Sequence, residues 1–281
     1  MSLLRTTLNE SRLLSVARAA WRVTRSAVFM LVYLAYLVLF MGFVQRFILI
    51  PLAWVFPVQS ARFLVPWSRF QAAAPLVLLR IIAGVRISID GAIGPENRVV
   101  IMNHQSVLDA LIAYKVNTGY LMLIPTRSRY AWGLPGVSPF IRMARFPLIA
   151  QTRQSLRADL DAIAEAADRC KRGEASFFIF PEGHRSKDGS ILPFMIRGLR
   201  LVLTHAPLPV YCIVGDGMWH IRTVADTFTK AAGTRIRVRI IGPFQPPAEE
   251  SEIPDFVASL RNRMIETLDD MRAGRPFHNA V

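Results

Sequence analysis

Arg98-Val-Val-Ile-Met102 runs directly into Asn103-His-Gln-Ser-Val-Leu-Asp109 and then into Ala110-Leu-Ile-Ala-Tyr-Lys-Val116. After Arg98 the first segment is short, β-branched and wholly apolar, the pattern of a strand covered on both faces. Val107–Val116 reads as a helix. A buried strand that feeds a helix through a polar turn is the repeating unit of α/β proteins. The pattern recurs downstream. Ser155–Arg172 reads as a helix, with apolar residues at Leu156, Leu160, Ile163 and Ala167. Ser176–Phe180 is a second buried strand and ends in Pro181-Glu-Gly-His-Arg-Ser186. Gly198–His205 is helical, Pro209–Gly215 a strand, and Pro254–Met271 a closing helix. Val85–Asp90 alternates with period two, and Phe146–Ala150 is a short strand. Thr234–Ile241 (TRIRVRII) reads as an edge or half-covered strand, because every second residue is polar. The expected fold is α/β, with a mixed, largely parallel sheet flanked by helices.

The 281 residues are 52% hydrophobic and carry a formal charge of +14, with a mean hydropathy of +0.32. Arginine supplies nearly all of the positive charge, for only Lys115, Lys171, Lys187 and Lys230 occur. A basic and apolar chain fits an anionic membrane surface better than nucleic acid. No basic low-complexity tail or aromatic RNA-binding signature is present, so no nucleic-acid partner is expected. Cys170 and Cys212 lack metal-ligand spacing and read as reduced, buried thiols. No metal site is expected.

Ala27–Val44 is almost wholly apolar, and Arg25 and Arg46 bracket it. About 20 such residues span a bilayer core of about 30 Å as a helix. A second apolar stretch, Phe47–Val58, is interrupted by Pro51 and Pro57. The basic leader is too long for a signal peptide. Arginines on both flanks leave orientation undecided, and a hairpin dipping into one leaflet competes with a single span. Residues 3–25 also look amphipathic, suited to lying on anionic headgroups. The chain therefore divides into residues 1–80, an amphipathic and membrane-anchoring helical segment, and residues 81–281, the α/β domain.

The polar turns after the two buried strands carry the chemistry. His104 and Asp109 are five residues apart, which on one helix would separate them by about 140°. With His104 in the turn and Asp109 in the first helical turn, the carboxylate can hold one imidazole nitrogen and leave the other as a base. Ser106-Val-Leu-Asp109 is also a fair helix cap, and both roles can hold. In the second turn Pro181 ends the strand, Gly183 permits an unusual backbone, and Arg185 can grip phosphate with two N–H groups. A base, an orienting acid and an anion clamp suit acyl transfer to a phosphate-bearing alcohol. A hydrolase or phosphatase using His104 and Asp109 is the rival enzyme class, but no Gly-x-Ser-x-Gly elbow or paired metal carboxylates accompany them. A membrane lipid-binding protein without activity is the non-enzymatic rival.

Asn103-His-Gln-Ser-Val-Leu-Asp109 resembles the His-x4-Asp motif of the glycerolipid acyltransferases, and Phe180-Pro-Glu-Gly-His-Arg-Ser186 resembles their Phe-Pro-Glu-Gly-Thr-Arg-Ser motif. Their separation of about 75 residues is similar to that family's layout. The similarity covers roughly residues 80–245 and fits best the 1-acylglycerol-3-phosphate acyltransferase branch. The resemblance implies that His104 is the base and Asp109 its orienter. It implies that Glu182, Gly183, Arg185 and an upstream arginine bind substrate, with the Gly183 region giving oxyanion donors. The family's arginine motif is blurred here; Arg153 is its best match, with Arg142 and Arg145 as rivals. His184 stands where the family has Thr. The implied co-substrate is acyl-CoA or acyl-carrier-protein, with no cofactor, and the acceptor is a lysolipid. A lyso-aminolipid, lysophospholipid or glycolipid acceptor is the alternative. The implied location is the cytosolic face of a membrane; charge pattern and compact length point to a bacterial inner membrane.

Overall fold

The computed structural model describes residues 2–56 and 59–277, with side chains placed from residue 12 onward. Six strands form the main sheet: β1 (Arg86–Asp90), β2 (Val99–Met102), β3 (Met122–Leu123), β6 (Ser176–Ile179), β7 (Val210–Asp216) and β8 (Arg235–Phe244). A separate two-stranded sheet pairs β4 (Thr126–Arg127) with β5 (Leu148–Ile149). The main order is β1-β8-β7-β2-β6-β3, parallel throughout except between β7 and β8. The sheet is therefore mixed and largely parallel. β2, β6 and β7 lie at its centre, and every residue in them is buried. Their continuous apolar runs follow from helices covering both faces.

The helices of the α/β part are α5 (Asp109–Val116), α6 (Ser138–Met143), α7 (Leu156–Lys171), α8 (Ile196–His205), α9 (Val224–Lys230) and α10 (Ile253–Arg272). α7 buries Ile163, Ala166, Ala167 and Cys170, and packs on α8. α10 sets Val257, Leu260, Met264, Leu268 and Met271 at helical spacing against α8 and β7.

Two strand expectations need correcting. β8 is an interior strand between β1 and β7, not an edge. Its arginines are tolerated because Arg235 is exposed at the strand's start, Arg237 pairs with Asp216 at 2.8 Å, and Arg239 faces Asp90 at 3.7 Å. The strand expected at Phe146–Ala150 shrinks to two residues and joins the small sheet.

The N-terminal part is one helix. α1 (Ser2–Ala35) continues through π-helical turns at Tyr36–Met41 and Gln45–Leu49, separated by α2 (Gly42–Val44), into α3 (Ile50–Val55). Pro51 does not break it; it stands in the first turn of α3, directly after the π-helical turn at Gln45–Leu49, and the helix runs on through it. Pro57 lies outside the described residues. α4 (Ser60–Ile81) then returns, with Gln45 donating to Gln71 and Phe40 packing on Phe70. The helix is also tied to the α/β part. Arg22 donates to the Ala232 carbonyl, Ser26 accepts from the Ala232 N–H, and Arg25 donates to the Ile82 carbonyl. Further along, Gln45 donates to the Gly136 carbonyl at 2.8 Å. Arg12–Val55 is long and apolar enough to cross a membrane.

Candidate active site

β2 and β6 are hydrogen-bonded neighbours, with Ile101 opposite Ile179. Both point the same way, so the turns that follow them emerge at one edge, the carboxyl end of the sheet where α/β proteins place ligands. Asn103 fixes the first turn by exchanging two hydrogen bonds with Gly215 on β7, at 2.7 and 2.9 Å. Gln105 spans the cleft floor, donating to the Gly189 carbonyl and accepting from Met218 N–H.

Asp109 opens α5 and is fully buried. Its Oδ2 accepts from His104 Nδ1 at 2.8 Å and from the N–H groups of Gln105 and Ser106 at 2.7 and 2.8 Å. Cap and orienter are thus the same atom. The expected box is shifted by one residue on the serine side: the Ser106 hydroxyl accepts from the Leu108 N–H at 3.1 Å and donates to the Ile221 carbonyl. A carboxylate oxygen only accepts, so Nδ1 carries the hydrogen and Nε2 keeps its lone pair. Nε2 has no partner among the described residues. The imidazole stacks on Phe180, with ring centroids 4.0 Å apart, which holds its plane.

Glu182 lies fully buried beneath the second turn. Its two oxygens accept from the His104 N–H at 2.9 Å and the Leu192 N–H at 3.0 Å. Burial pushes its carboxyl up from 4.5 to about 7, against those two bonds, which lower it. Glu182 therefore binds backbone, not substrate, in this structure. Gly183 has φ +71°, and a Cβ there would lie 2.4 Å from Met195 Sδ. Its N–H donates to the Phe180 carbonyl at 3.1 Å, which corrects the expectation that it serves as an oxyanion donor. The N–H groups of Glu182, His184 and Arg185 in the same turn have no acceptor among the described residues.

Ser186 N–H donates to the His104 carbonyl at 2.8 Å, joining the two turns and setting Arg185 beside the histidine. Arg185 is half-buried and spends one donor on the Arg222 carbonyl at 2.5 Å. Its Nε and the Nε of Arg222 are buried without a partner. Burial lowers the Arg185 pKa first; the nearby charges of Arg222 and Arg127 lower it further, while Tyr130 and Asp109 oppose them. Arg185 and Arg222, joined by that bond and each with a buried, unused Nε–H, have donors to offer an anion. Sequence reading missed Arg127 and Arg222. The placement of ligands beyond strand ends, applied to β7, points to the loop that carries Arg222.

Arg153 is exposed in the turn before α7 and is not among the charges acting on Arg185. Arg142 lies over the Trp132 ring, and the Arg145 carbonyl accepts from Arg169. His184 is exposed. Cys170 and Cys212 are buried, and burial raises both thiols, Cys170 to about 12. Neither is a nucleophile at neutral pH.

Residues 86–216 match the family described as Acyltransferase, a span that contains His104, Asp109, Glu182 and Arg185. The chain is 28% identical over 196 residues to the 1-acyl-sn-glycerol-3-phosphate acyltransferase alpha of Ovis aries, covering 67% of this chain and 63% of that protein. It is 30% identical over 196 residues to the 1-acyl-sn-glycerol-3-phosphate acyltransferase of Cocos nucifera, covering 69% and 61%. Each alignment spans less than two thirds of the relative's own length. In fold it is similar to the crystal structure of the 1-acyl-sn-glycerophosphate (LPA) acyltransferase PlsC from Thermotoga maritima, with a TM-score of 0.65, 19% identity, and 89% and 98% of the two chains covered. Residues 86–216, which hold both motifs, thus match the acyltransferase family, and the relatives the chain resembles are of the 1-acylglycerol-3-phosphate branch.

Proposed function

We propose that this protein is an O-acyltransferase that moves an acyl chain from acyl-CoA or acyl-carrier-protein to the free hydroxyl of a lysolipid, 1-acylglycerol-3-phosphate, giving phosphatidic acid. One observation carries the reading. The His104 imidazole, braced by Asp109, and the unsatisfied Arg185 guanidinium leave adjacent parallel strands at the same edge of the sheet.

In this reading His104 Nε2 takes the proton from the acceptor hydroxyl as its oxygen attacks the thioester carbonyl. The new C–O bond forms, the C–S bond breaks, and the departing thiolate takes the proton back from the imidazolium. Asp109, buried and bonded through Oδ2 to Nδ1, stabilises that imidazolium. The free N–H groups of the Glu182–Arg185 turn are the donors for the tetrahedral oxyanion. Arg185 holds the phosphate, with Arg127 and Arg222 extending the cradle. Arg153 keeps the binding role that the resemblance gives it.

The substrates are lipids, so the reaction belongs at a membrane, on the cytosolic face. The exposed apolar side of the N-terminal helix supports this, including Leu31, Val38, Leu39, Phe43 and Phe47. Hydrogen bonds at Ser26 and at Gln45 tie the helix to the α/β part over about 30 Å, at a helical rise of about 1.5 Å per residue. That arrangement favours a hairpin seated in one leaflet over an independent span.

The test is an acyl-transfer assay with both donors and a panel of acceptors: 1-acylglycerol-3-phosphate, a lyso-aminolipid, a lysophospholipid and a glycolipid. His104→Ala should lose about 10²–10⁴ in rate with the preferred pair. Wild-type turnover by the folded variant would remove the base. Preference for an unphosphorylated acceptor would remove the phosphate cradle. An unchanged KM in Arg153→Ala would remove Arg153 from it.

A further inference from the structure

The loop between β4 and α6 holds Trp132 in water. Trp132 is 71% exposed and Leu134 beside it is also exposed. This is a built feature, not a slack one. The buried Ser138 hydroxyl donates to the Tyr130 carbonyl and accepts from the Leu134 N–H, both at 2.9 Å, clamping the loop at each end. Arg142 donates to the Ala131 carbonyl at 2.5 Å and lays its guanidinium over the Trp132 ring, 4.3 Å from the centroid. Three hydrogen bonds thus shape a turn whose product is an indole with no apolar cover.

The same loop is docked on the apolar helix. Gly136, at φ +70°, gives its carbonyl to Gln45, and a Cβ at that position would lie 2.9 Å from the Met41 Cβ. Only glycine lets the loop come so near. The helical turns on either side of this dock expose Val38, Leu39, Phe40 and Phe43. The loop and the helix therefore present neighbouring apolar surface. The charge beside it is of one sign: from Thr118 to Ala158 there are six arginines and no acidic residue. Two of these, Arg129 and Arg142, flank the loop, and Arg129 lies over Tyr130.

We propose that residues 128–136 are a second membrane contact, a lip in which Trp132 and Leu134 enter the headgroup layer of an anionic leaflet while Arg129 and Arg142 meet its phosphates. Indole rings favour that depth, with the ring body in the acyl boundary and the N–H in the wet layer. Arginines beside an apolar surface gain from anionic lipid and lose that gain in salt. Arg127, at the end of β4, stands at the base of the lip.

This rests on the membrane reading of the N-terminal helix, so the experiment probes both. The full-length protein is labelled with a polarity-sensitive fluorophore at Leu134→Cys or at Leu39→Cys; both native thiols are buried. Each form is mixed with vesicles of phosphatidylglycerol carrying shallow spin-labelled lipid. Loss of emission at both positions is expected, and at position 134 it should weaken in high salt and with Trp132→Ser. Quenching at 39, with 134 still open to an aqueous quencher, overturns the lip and leaves the anchor standing. Absence of quenching at both overturns the anchor and the lip with it.

Discussion

Val99–Met102 and Val38–Phe43 are similarly apolar, yet they end in opposite surroundings. Every residue of the strand is buried, whereas Val38, Leu39, Phe40 and Phe43 of the helix are exposed. Apolar composition states a need for cover, and what supplies it is settled by the neighbours. The strand is covered by its own chain and sets the catalytic turn in place. The helix gives only one stripe to the protein and keeps the rest for another solvent. Stability should therefore concentrate in the first region and membrane affinity in the second.

The sharpest break of that contrast is Phe177→Ala, in the strand beside β2. Phe177 is fully buried, so truncation should cost about 3–5 kcal/mol, read from a denaturation midpoint in detergent. A loss below 1 kcal/mol would mean that the central sheet is loosely packed. Next comes Arg185→Ala. Removing a charged donor from the cradle should raise the KM for a phosphorylated acceptor by about 10- to 100-fold with little change in stability. An unchanged KM would place the phosphate elsewhere.

A smaller effect concerns pH. The Glu182 carboxyl is raised to about 7 by burial, from an ordinary 4.5. Between those values the folded protein holds a proton that the unfolded chain has released. The contribution is therefore complete below pH 4.5 and fades as pH rises to 7. Glu182→Gln should flatten that decline relative to wild type, while losing one of the two backbone bonds. Parallel stability-against-pH curves for the two proteins would show that Glu182 does not carry the proton. The smallest stability effect belongs to Leu39→Ser, within about 0.5 kcal/mol in detergent because the side chain is exposed. Its partition into vesicles should fall all the same. Unaltered partition would mean that this stripe does not face lipid.

The central strands were legible because an apolar run between polar turns has few other readings. β8 was misread because arginine at every second position looks like solvent exposure. Asp216 and Asp90, distant in sequence, pair with Arg237 and Arg239, and β1 covers the edge that the alternation left open. β3 and β4 are two residues each and carry no period to detect. At the candidate site, His104, Asp109, Glu182 and Arg185 could be singled out because each sits in a short motif after a strand. Glu182 was expected at the substrate, and its buried bonds to two backbone N–H groups could not be seen from its neighbours in sequence. Arg127 and Arg222 escaped notice because they lie far from Arg185 in sequence, one at the end of β4 and one in the loop after β7, and only folding brings their charges to bear on it.

The helix is fastened to the α/β part at Ser26 and again at Gln45, so the protein has no swivel between anchor and cleft. A catalyst mounted this way meets its acceptor by sliding in a plane. The quantity that drives its rate is then the share of acceptor among surrounding lipids, not the amount in the bulk. Diluting the bilayer with inert lipid should slow turnover even when the total acceptor in the tube stays constant.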